Sequence, residues 1–88
     1  MRTTLKNGYQ AEIMDEGRRL DLFAPDGSYE FTVAPPAFTT FYEFVNHAVE
    51  GMCPLVSFEL AHSPIQGMDW YCKVVVESKS IELLNPAR

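Results

Sequence analysis

Two cysteines, two histidines and twelve carboxylates are the side chains of this 88-residue chain best suited to do chemistry. Cys53 and Cys72 lack the close C-x-x-C pairing and the further Cys or His ligands that a zinc site needs. Take a symmetric hairpin about the turn from His62 to Gly67. Cys72 then falls opposite Ser57, and Cys53 lies four positions further along its strand. At about 3.3 Å per residue that separation is about 13 Å, beyond the reach of roughly 7 Å between Cα atoms that a disulfide allows. Both are therefore expected to be free thiols acting as small hydrophobes. His47 and His62 have no partner at a ligand spacing such as H-x-x-x-H. A triad would need a nucleophile, a base and an orienting acid. Cys72 is expected on a core face, where a thiol is inert. No G-x-S-x-G or glycine-rich phosphate loop is present, and Gly8, Gly17, Gly27, Gly51 and Gly67 read as turn or cap residues. The expectation is a non-enzyme with no catalytic residues, no metal and no cofactor.

The carboxylates say more through placement. Residues 9–34 read as a three-stranded antiparallel meander with turns at Glu16-Gly17 and Asp26-Gly27, D-G being a strong hairpin signal. Two-residue loops pair Ile13 with Leu20, Ala11 with Leu22 and Tyr9 with Ala24. They also pair Leu20 with Val33, Leu22 with Phe31 and Ala24 with Tyr29. All these apolar positions share one face, and a slip of one residue would break the agreement. On the other face Glu12 is set opposite Asp21, which faces Thr32, with Glu30 placed diagonally. Like charges directly opposed are unfavourable. Three readings follow: an acidic surface for a basic partner, a weak divalent-cation site, or a cluster neutralised by Arg19 and solvent.

Between Leu20 and Cys72 there is no lysine or arginine, and the net charge is −5. A nucleic-acid binder needs a basic stripe, so direct binding to DNA, RNA or an anionic membrane is not expected. A basic protein surface remains an attractive partner. No apolar run reaches the roughly 18–20 residues of a membrane span. The start, Met1-Arg2-Thr3-Thr4-Leu5-Lys6, lacks the apolar stretch of a signal peptide, so a cytoplasmic protein with reduced thiols is expected.

The remaining elements must position these groups. Pro35-Pro36 ends the third strand. A helix is expected over about 40–51: Thr40 to Glu43 has capping-box form, Gly51 supplies the stop, and Phe41, Phe44, Val45, Ala48 and Met52 are spaced as a core-facing stripe. Glu43, Asn46, His47 and Glu50 then make the wet face, with Tyr42 at the border. A hairpin over about 54–77 carries Val56, Phe58 and Leu60 against Trp70, Cys72, Val74 and Val76. The tail 78–88 adds a short strand through Ile81, Leu83 and Leu84 or packs as coil. The expected fold is one α+β domain over 1–88, in βββ-α-ββ order, with one helix on a five-stranded antiparallel or mixed sheet.

Phe31, Phe41, Phe44, Phe58 and Trp70 should fill the core, leaving Met14, Phe23 and Tyr71 on outer faces. Aromatics and Met amid charge have the character of an interface, although one helix also cannot cover five strands. The expected partner-binding set is thus Glu12, Met14, Asp21, Phe23, Glu30 and Tyr71. The leading function is an acidic, intracellular protein-binding module, an adaptor or a stoichiometric inhibitor of a larger basic partner. A sharper form is a phage or mobile-element inhibitor that occupies the groove of a nucleic-acid-binding defence complex. The alternatives are a homodimer binding a small molecule between sheet and helix near Trp70 and Tyr42, and a small enzyme. A homodimer would pair through a strand edge or near Tyr42, because like charges oppose association through the acidic face.

Overall fold

A computed structural model describes residues 2–62 and 68–87. The fold is all-β. Two four-stranded antiparallel meanders follow one another: β1 (Thr3–Thr4), β2 (Gln10–Met14), β3 (Arg19–Phe23) and β4 (Tyr29–Val33), then β5 (Thr39–His47), β6 (Gly51–Phe58), β7 (Trp70–Val75) and β8 (Ser80–Pro86). Two short 3₁₀ turns, Asp15–Gly17 and Leu60–His62, complete the described elements. The expected α+β arrangement of one five-stranded sheet under one helix is therefore corrected: the expected helix is β5, the connecting loop and the start of β6.

The first meander has the expected register. Ile13 pairs with Leu20, Ala11 with Leu22 and Glu12 with Asp21; Leu20 pairs with Val33, Leu22 with Phe31 and Asp21 with Thr32. Two details differ. Asp15, Glu16 and Gly17 all have positive φ and form a wider turn closed by the Arg18 N–H on the Asp15 carbonyl. A bulge beyond Leu22 pairs Phe23, not Ala24, with Tyr29 and leaves Glu30 as the extra residue. β1 is added at the outer side of β2, and β8 is the strand expected as one option for the tail.

The physical reason for β5 lies in its composition and in one bulge. Thr39, Thr40, Phe41, Tyr42, Phe44 and Val45 are β-branched or aromatic, types that favour a pleated surface. Phe41 pairs with Val56, but Glu43 pairs with Leu55, so Tyr42 is an extra residue. A bulge of this kind moves the alternation by one position. Phe41 and Phe44 thus share a face at a spacing of three, which in sequence imitates a helix. The Thr40–Glu43 pattern imitates a capping box, and Gly51, at φ +73°, is the left-handed residue of a tight hairpin rather than a helix stop.

One core joins the sheets: Ala11, Leu20, Leu22, Phe31 and Val33 from the first meet Phe41, Val56, Cys72 and Val74 from the second, with Leu5 closing one end. Phe44, Phe58 and Trp70 pack against it half-buried. The layers also touch through backbone: a Cβ on Gly17 would lie 2.3 Å from the Phe41 carbonyl oxygen. β6 buries Cys53, Pro54, Leu55 and Val56 in succession. Cys53 and Leu55 lie outside the shared core, on the reverse face of the sheet.

Every outer strand is blunted. β1 has two residues, and β4, β5 and β8 each carry the extra residue of a bulge against their inner neighbour. Short or bulged edges are how sheets avoid pairing with other chains.

Candidate functional site

The expected contact residues are on the first sheet, except Tyr71. Glu12 and Asp21 are directly opposed, as the register requires. Asp21 is nevertheless engaged: its Oδ1 accepts from Thr32 Oγ1 at 2.7 Å and from Arg19 Nε at 3.4 Å, and Tyr29 Oη lies 2.8 Å from the same Thr32 oxygen. The cluster is thus stitched into a hydrogen-bonded row. Phe23 faces outward but is only 8% exposed, because the Arg2 guanidinium covers its ring at 3.5 Å and Tyr29 meets its edge at 6.0 Å. Met14 is half-buried beside Arg19, and Glu30 is exposed on the bulge. Arg19, at the border of the base-free stretch, and Arg2, 18 positions before that stretch begins, both fold onto this face.

Tyr71 is remote from that group. It stands opposite Leu55 and edge-on to His47, ring centroids 4.7 Å apart. His47 Nδ1 accepts the N–H groups of Val49 and Glu50, both at 3.1 Å, which places its proton on Nε2, donating to Asn85 Oδ1 at 2.9 Å. The histidine closes the β5–β6 loop and ties β5 to β8 across the curled sheet. The small-molecule site expected between sheet and helix near Trp70 and Tyr42 has no helix among the described residues to form it. Trp70 packs on Phe58 with its Nε1 buried and without a hydrogen-bond partner among the described residues, and Tyr42 stands 62% exposed on its bulge.

The thiols are buried and free. Burial pushes the Cys72 thiol up to about 12 and the Cys53 thiol above its ordinary value. The β6–β7 register differs from the symmetric hairpin: Val56 pairs with Trp70, which brings Cys72 level with Pro54 rather than Ser57. The turn residues 63–67 that framed that expectation lie outside the described residues. Among the described residues, no group of three His, Cys, Asp or Glu side chains could hold a metal ion, and no helix is long and apolar enough to cross a membrane.

Among the described residues, two of the depressions lie on or beside the second sheet. One is a groove of about 310 Å³ lined by Phe38, Thr39, Thr40, Ser57, Phe58 and Glu59. At its head Phe38 has a left-handed backbone, φ +65°, is 52% exposed, and stacks on His62 at 3.7 Å and 10°. A bulky residue in that conformation costs on the order of 1–2 kcal/mol. The turn is held by the Thr39 N–H and hydroxyl on the Pro36 carbonyl and by the Glu59 N–H on the Phe38 carbonyl. The other depression is a cleft of about 510 Å³ among the Leu5–Asn7 turn, the start of β6 and the end of β7. Neither was legible in sequence. Phe38 carries no local signal for positive φ, and each depression is built from segments far apart in the chain.

No protein-family model matches the chain, and no curated protein or solved structure shows significant similarity to it.

Proposed function

We propose that this chain is a small protein-binding module, an adaptor or stoichiometric inhibitor, whose working surface is the groove beside Phe38 and whose partner presents a basic extended segment. The observation that carries this reading is Phe38 itself: a strained, exposed aromatic stacked on His62 at the head of a groove containing Glu59. Its six lining residues come from the stretch without lysine or arginine. An arginine of the partner suits the groove, because a guanidinium stacks on an aromatic face and donates in pairs to a carboxylate. The outer face of the first sheet has less to offer, since Asp21 and Phe23 are already engaged by Thr32, Arg19 and Arg2. The blunted edges support a monomeric working form in place of the expected strand-edge homodimer, and light scattering should return the mass of one chain.

The test is an amide chemical-shift titration with a blocked peptide carrying one central arginine, beside its citrulline analogue. Saturable shifts at Phe38, Thr40, Phe58 and Glu59 are expected for arginine alone, and Phe38→Ala or Glu59→Gln should abolish them. The triple reversal of Glu12, Asp21 and Glu30 to Lys should leave them in place. Shifts centred on Glu12, Asp21 and Glu30 would transfer the proposed surface to the first sheet.

A further inference from the structure

The larger cleft is built differently from the groove. Its floor is apolar and buried: Leu5, Cys53, Pro54 and Val74. Its rim carries four charges in balance, Lys6, Lys73, Glu50 and Glu77. A volume of about 510 Å³ lies within the range of small-molecule sites, which combine an apolar lining with a few placed polar groups.

Two of the rim charges answer one another, with Lys73 Nζ 3.6 Å from Glu50 Oε1. Among the described residues, the other two have no partner of opposite charge. Lys6 Nζ donates to the Val49 carbonyl at 2.8 Å, which fixes the ammonium without neutralising it. Its stem lies against Gly51, where an added Cβ would come within 3.2 Å of the Lys6 Cβ. Glu77 makes no ion pair among the described residues. A single anionic or cationic ligand would satisfy one of these groups and ignore the other.

We propose that the cleft binds a small zwitterion with an apolar body, an amino acid or an aminoalkanoate. Its carboxylate meets Lys6, its amine meets Glu77, and its hydrocarbon lies on the floor of Leu5, Pro54 and Val74. The site is independent of the Phe38 groove, so either can fail without the other.

The experiment titrates the labelled protein separately with leucine, 6-aminohexanoate, hexanoate and hexylamine, following amide shifts around Leu5, Val74 and Glu77. At least one zwitterion is expected to saturate these shifts, and both singly charged analogues should bind about tenfold more weakly or worse, as loss of a charge-assisted hydrogen bond dictates. Lys6→Met should weaken the zwitterion and hexanoate but spare hexylamine, and Glu77→Gln should do the reverse for the analogues. Both side chains are exposed, and the unliganded spectrum of each variant reports its fold. The wild-type ligand series stands even if a variant does not fold. The proposal is overturned by the absence of saturable shifts at tens of millimolar, by hexanoate or hexylamine binding as tightly as the zwitterions, or by both variants binding like wild type.

Discussion

In the first sheet, Ala11, Leu20, Leu22, Phe31 and Val33 turn to the core while Glu12, Asp21 and Thr32 turn to solvent. In the second, β6 buries four consecutive residues, and only Pro54 and Val56 of the alternating set face the shared core. The reverse face, with Leu55, Cys53, Tyr71 and His47, is a small packed layer of its own. Strands buried on both faces read as continuous apolar runs, and Met52-Cys53-Pro54-Leu55-Val56 is such a run. The first sheet is a one-sided cover whose outer groups are tied to one another. The second carries two layers, and both depressions draw on its strands.

The join between the two should be the most sensitive point. Gly17 has φ +90° and no room for a Cβ against the Phe41 carbonyl, whereas Gly27, at φ +93°, has only the Arg2 Nη1 3.7 Å away. Gly17→Ala should therefore destabilise by about 3 kcal/mol or more, since steric conflict with backbone adds to the conformational strain. Gly27→Ala should cost only about 1 kcal/mol. Denaturant unfolding checks both, and equal losses would mean that the sheets do not meet at Phe41.

The next effect separates two outward-facing positions. Leu55→Ala removes a residue that is 6% exposed and should cost about 2–4 kcal/mol. Thr32→Ala removes the hydroxyl that reaches Asp21 and should cost about 1 kcal/mol or less. A Leu55 variant as mild as the Thr32 one would make the second sheet one-sided like the first.

The smallest effect belongs to the ionisation of the thiols, both on the second sheet, which is silent at neutral pH and shows only in alkali. The folded Cys72 thiol titrates near 12 against an ordinary value of 9.0. The folded state thus keeps a proton that the unfolded state loses above about pH 9. This contribution is complete below pH 9 and lost as pH rises towards 12. Cys53→Ala/Cys72→Ala should flatten that part of the alkaline decline relative to wild type, and unchanged slopes would count against thiol burial.

The first sheet was legible because nothing interrupts its alternation through Leu22, and the turns Glu16-Gly17 and Asp26-Gly27 hold the register even where the first is wider than expected. β1 escaped notice because two threonines carry no periodicity. β5 misled because the Tyr42 bulge converts a period of two into a spacing of three between Phe41 and Phe44. The acidic row was visible from Glu12, Asp21 and Thr32, but its partners were only partly so. Arg19 was foreseeable from its place beside Leu20, whereas Arg2 reaches Phe23 only through the fold. The cleft joins Lys6, Glu50 and Glu77, which no sequence window contains together.

All of this rests on β5 being a bulged strand that turns Phe41 and Phe44 to the same side. Nuclear Overhauser contacts over residues 39–58 test it directly. Cross-strand contacts of Phe41 with Val56 and of Phe44 with Pro54 are expected, with Tyr42 unmatched. Sequential amide–amide contacts running from Thr40 to Glu50, with Phe41 touching Val45 and no contact to Val56, would restore the helix and contradict it.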